Sequence, residues 1–90
     1  MSRTIWKFIP EITDSINIEM PKGARVLHAE AHGDRQLQVW AEVNPNTYTT
    51  NRELRVYGTG HPMPDNPGRY ISTTFSGPFV WHVYEPAATS

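Results

Sequence analysis

Proline and glycine fall so often along this chain, eight and six times in 90 residues, that hardly any window could hold a long uninterrupted helix. What remains between these breaks are short runs rich in β-branched and aromatic residues. The clearest is residues 36–43, QLQVWAEV, where Leu37, Val39, Ala41 and Val43 alternate with Gln38, Trp40 and Glu42 in the period-2 pattern of a half-buried strand. The preceding run, ARVLHAEAH over 24–32, groups Leu27, Ala29 and Ala31 against Val26, His28 and Glu30. The Gly33-Asp34 pair between the two runs predicts one antiparallel hairpin over 24–43.

Five further runs, 3–9, 15–20, 53–58, 69–75 and 79–85, bring the expected number of strands to seven, with 20–24, 44–51 and 76–78 as connections. The prediction is an all-β fold, a small antiparallel barrel or sandwich with little or no helix. It is a single domain over 1–90, with 86–90 as a flexible tail. The run FVWHVY is apolar on both faces, Phe79, Trp81 and Val83 against Val80, His82 and Tyr84, as in a central strand or a subunit interface. In IWKF, Trp6 and Phe8 share one face and Ile5, Lys7 and Ile9 the other. Three Trp, four Tyr and three Phe are more aromatic surface than so small a core hides, so some of it is expected to face a partner or ligand. Small size and two-faced strands together predict a homo-oligomer.

The balance of 8 basic and 9 acidic side chains, net charge -1, lacks the positive field that binds duplex nucleic acid. With no cysteine there is neither a disulfide framework nor a Cys-based zinc site. No apolar run reaches the roughly 20 residues that span a bilayer, and MSRTIWKFIP has no signal-length apolar core, so a soluble, unexported protein without membrane partners is expected.

The stretch with the most chemistry is VYGTGHPMPDNPGRYIST, residues 56–73. Gly58 and Gly60 can present backbone N–H groups to an anion, Thr59 adds a hydroxyl, His61 an imidazole and Arg69 a bidentate fork. Tyr57 or Trp81 could stack on a base. The bland reading of the same residues is a strand leaving its sheet at a glycine bulge under proline restraint. The loop is neither a Walker motif nor a dinucleotide fingerprint, because no Lys-Ser/Thr ending follows and Met63 stands at the third glycine position.

No cofactor and no metal site are expected. His28 and His32 would stand about 13 Å apart on a strand, and His82 and Glu85 would point to opposite faces. With no Cys nucleophile, no GxSxG elbow and no paired carboxylates, the residues favour binding over catalysis, so no catalytic residue is named.

The motifs IWKF, MPKGARVL, VWAEV, RVYGTGHPMP and FVWHVYE, spread from Ile5 to Glu85, resemble a family of short uncharacterised proteins encoded by bacteriophages and prophages. The resemblance implies a phage gene expressed in a bacterial host cytoplasm. It carries no activity and no site residues. Two functions follow as expectations. One is a non-catalytic accessory protein that binds a small anionic, nucleotide-derived ligand as an oligomeric sponge against host defence signalling. The other is an interaction module that docks a host or virion protein through an aromatic face.

Overall fold

A computed structural model of the chain describes residues 2–87. It contains β1 (Thr4–Phe8), β2 (Ser15–Pro21), β3 (Arg25–His32), β4 (Gln36–Val43), β5 (Thr49–Gly58), β6 (Arg69–Ser76) and β7 (Phe79–Glu85), with no helix among the described residues. One sheet has the order β1-β4-β3 and the other β2-β5-β7-β6, with every pairing antiparallel. The two sheets form a sandwich and do not close into a barrel. Of the expected tail, Pro86 and Ala87 are described without regular structure, and 88–90 lie outside the described residues.

The alternation in β4 is realised as read: Leu37, Val39, Ala41 and Val43 are completely buried, while Gln38, Trp40 and Glu42 are half-exposed. In β3 the expected parity fails. The register against β4 shifts between Val26 and His28, so Leu27 is an extra residue. Val26 and Ala29 therefore both point into the core, and Leu27 is exposed. An equivalent shift in β6 sets Ile71 aside between Tyr70 and Ser72. Strand β5 begins at Thr49, inside the stretch expected to be a connection, because β2 pairs with it down to Pro21↔Thr49. Pro21 ends β2 on a sheet edge, where a residue without an N–H costs no ladder bond. FVWHVY is a central strand, lying between β5 and β6.

The core is aliphatic: Ile16, Ile18 and Met20 from β2, Val26 and Ala29 from β3, the four β4 residues, Leu54 and Val56 from β5, and Val83 from β7. None of the tryptophans, tyrosines and phenylalanines is buried; Phe8 and Trp81 only pack against its margin. At fully buried Val83 the loss of two methyl groups opens a cavity, the expected cost being about 1 to 3 kcal/mol.

The sheets are fastened along one side, where edge strands β3 and β6 run past each other. Between them there is no backbone ladder. Instead the inward side chains of β6, the buried Ser72, Thr74 and Ser76, bond to the β3 backbone and the turn after it. The Ser72 hydroxyl accepts from Ala29 N at 3.2 Å and donates to Ala29 O at 2.5 Å. Thr74 Oγ1 accepts from Ala31 N at 2.7 Å, and Ser76 Oγ donates to Gly33 O at 3.1 Å. Among the described residues no buried side-chain polar atom lacks a partner. Ser72→Ala orphans both backbone groups of a fully buried Ala29, so chemical denaturation should show a loss of about 1 to 3 kcal/mol. Thr73→Val, on the exposed outer face, should cost under about 1 kcal/mol.

Candidate functional site

The 59–68 connection leaves β5 through a turn in which His61 N donates to Gly58 O at 3.0 Å. The His61 imidazole folds back over Gly58. A Cβ built there would lie 2.8 Å from His61 Nδ1 and 3.3 Å from Trp81 Cζ3, so a side chain at this position would push the His61 ring aside. The space beside Gly58 is thus occupied by the protein's own side chains. Gly60 adopts a φ of +87° with open space around it.

Thr59 is tied to the outer face of the larger sheet. Its Oγ1 lies 2.7 Å from His82 Nε2, His82 Nδ1 lies 2.9 Å from Thr73 Oγ1, and Thr73 Oγ1 lies 2.7 Å from the Tyr70 hydroxyl. Both imidazole nitrogens are therefore engaged by hydroxyls that can donate or accept. On the same face Tyr84 receives Tyr57 and Tyr70 on either side, with ring centroids 5.8 and 5.4 Å away and both pairs edge-to-face. Phe75, on β6, extends this face and is 72% exposed. Towards β2 the face becomes polar. Ser15 donates to Glu53 Oε2 at 2.8 Å and Arg55 pairs with the same oxygen. The Ser15 hydroxyl first, then the Arg55 guanidinium, hold the Glu53 carboxyl below its ordinary value of 4.5.

Of the seven residues expected to bind a ligand, Tyr57, Gly58, Thr59, Gly60, His61, Arg69 and Trp81, the structure brings Gly58, His61 and Trp81 together, but Tyr57 and Arg69 lie apart from them. Tyr57 pairs with His82 on the outer face, whereas Gly58 pairs with Trp81, whose side chain lies on the inner face. Tyr57 and Trp81 are on opposite sides of the sheet and cannot hold one base between them. Arg69 pairs with Glu85, four residues along β7 from Trp81, or about 13 Å at strand spacing. There its Nη2 donates to Val26 O at 2.7 Å and reaches Glu85 Oε1 at 3.4 Å.

Arg52 approaches Glu85 from the other side. Its Nε and Nη2 donate to Glu85 Oε2 at 2.9 and 2.6 Å, and its Nη1 to Ala24 O at 2.6 Å. Two arginines of the larger sheet thereby hold carbonyls at the start of β3, with Glu85 as their common counterion. Beside them runs an open cleft of about 1040 Å³, lined by Gly68, Arg55 and Asn51 among others. Gly68 (φ +93°) presses on Glu85 O, leaving no room for a side chain. Among the described residues no three His, Asp or Glu side chains converge as a metal-ligand set.

The residues missed in sequence, Tyr70, Thr73, Phe75, His82 and Tyr84, sit on two strands joined by a tight turn. The surplus of aromatics was their one sequence signal. A family model described as Domain of unknown function (DUF7352) matches residues 1–90, and the chain belongs to that family. No curated protein matches the chain, and no solved structure does.

Because Arg69 joins the two sheets, Arg69→Ala should lower stability by about 1 to 3 kcal/mol, readable as a lower melting temperature; an arginine serving only a ligand would leave the melt unchanged. For Glu53, a depressed folded-state pKa means stabilisation present above 4.5 and lost as pH falls through the folded value. The stability difference between parent and Glu53→Gln should therefore be present in urea melts at neutral pH and shrink in strong acid.

Proposed function

We propose that this member of DUF7352 is a small accessory protein of phage origin that docks a protein of the bacterial host or the virion through the outer face of β5-β7-β6. The observation that carries this reading is the Tyr57, Tyr84, Tyr70 row with Phe75 beside it, an aromatic strip on a sheet face that no other element of the described chain covers. Tyrosines supply large contact area with two rotatable angles and a polar tip, which is why such residues dominate binding hot spots. The strip is bordered on the β2 side by Ser15, Asn17, Glu53 and Arg55, and so has an apolar centre with a polar rim. The hydroxyl and imidazole chain from Tyr70 to Thr59 holds one side of the strip in place, and fixed side chains lose less entropy on binding.

The anionic-ligand reading has less support. Its cation, Arg69, is committed to Glu85 and a backbone carbonyl, and the turn it was to complete lies about 13 Å away along β7.

Tyr70 and Phe75 are both exposed, so their replacement by serine spares the core. Tagged parent protein in a bacterial host lysate should retain a partner that Tyr70→Ser/Phe75→Ser loses at least about tenfold, as expected for hot-spot aromatics, and that Phe79→Ser on the inner face keeps. Equal recovery by all three proteins, or no partner at all, removes the reading.

A further inference from the structure

At the end of the sandwich away from Arg69, the inner faces part and leave a slot of about 240 Å³ between the β1–β2 connection, the β3–β4 turn and the start of β7. One wall is aromatic. Phe79 and Trp81 stack with ring centroids 5.4 Å apart and planes 18° from parallel. Both belong to the inward side of β7, yet Phe79 is 57% exposed, because no core residue lies over it. Val56 and Ile12 continue the apolar lining.

The rest of the lining is Thr13 and four charged residues, the acidic Glu11, Asp14 and Asp34 against the basic Arg35. Among the described residues no hydrogen bond or ion pair engages any of these four charged groups. The backbone that carries them is fixed: Ile12 N donates to Arg35 O at 2.6 Å, Leu37 N to Pro10 O at 2.9 Å, and Val56 N to Asp14 O at 3.1 Å. The slot is thus framed by backbone bonds between both sheets and their connection.

We infer that this slot binds an organic cation, an alkylammonium group seated against the Phe79–Trp81 stack. The cavity and the ring stack make the site; the carboxylates fix the sign of its ligand. A ring face attracts a cation through its quadrupole, and a bulky, weakly hydrated ammonium also gains from leaving water for an apolar wall. An anion would meet three unpaired carboxylates, which separates this site from the anionic ligand expected at Trp81 from sequence. The site is independent of the outer tyrosine strip, since Trp81 and His82 project to opposite sides of β7.

The test is a titration of the whole protein with tetramethylammonium chloride, followed by the indole N–H resonance of Trp81, with sodium chloride and uncharged tert-butanol as controls. The Trp81 resonance should move saturably with tetramethylammonium, should ignore sodium chloride, and should need at least about tenfold more tert-butanol for an equal shift. Phe79→Ala, at an exposed position, should weaken the ammonium about tenfold with the remaining amide spectrum unchanged. Asp14→Asn/Asp34→Asn should weaken it severalfold and remove its salt dependence. A resonance that stays in place, one that responds equally to tert-butanol, or an affinity that neither variant lowers would overturn the inference.

Discussion

Everything about the arrangement of the two sheets follows from how β3 and β6 meet. Both are edge strands, and an edge buried without hydrogen bonds would leave costly orphan groups. A backbone ladder between them would have joined the two sheets into one continuous sheet with β1 and β2 as its edges. Here Ser72 meets the donor and acceptor of Ala29, and Thr74 the donor of Ala31, with side chains instead. A side chain reaches farther than a backbone amide, so the strands can lie in different layers and still satisfy each other. The hydroxyls are small enough to be buried and polar enough to pair, which Val or Ala at the same positions would not be.

This fastening leaves the two ends of the sandwich chemically different. At one end Arg52 and Arg69 converge on Glu85 and grip the carbonyls of Ala24 and Val26. At the other the layers part around Phe79 and Trp81. The core between them is built from Leu, Ile, Val, Met and Ala, whose volumes fit a thin space between short strands. The rings lie at the margins and on the outer faces instead. On the larger sheet the tyrosines shield one another edge-to-face.

The strands themselves were legible because β4 and β7 carry alternation or apolar density strong enough to mark their own bounds. Strand β5 was cut short in sequence, since Thr49, Thr50 and Asn51 resemble a loop; only their partners on β2 make them a strand. The grouping of Leu27 with Ala29 and Ala31 failed for a similar reason. A bulge is decided by what the strand must fit against, and no local pattern in ARVLHAEAH announces it. The candidate site suffered most. Nearness in sequence suggested that Arg69 belongs with Gly58 and His61, but β6 begins at the far end of β7, and the chain between them spans the sheet's length. The contact of Thr59 with His82 and Thr73 joins three separate segments and could not be read from any of them.

The bonds between β3 and β6 share one arithmetic feature: Val26 with Arg69, Ala29 with Ser72, Ala31 with Thr74 and Gly33 with Ser76 are each separated by 43 residues. The first of them to form must close the whole intervening chain, an entropic cost of about 3 kcal/mol plus a constant. The remaining three close almost no further loop, because the two strands run in the same direction and each new bond lies beside the last. Their formation is thereby cooperative, all together or none. The joint between the sheets thus rests on one long-range closure between the third strand and the sixth, the kind of non-local contact that slows folding.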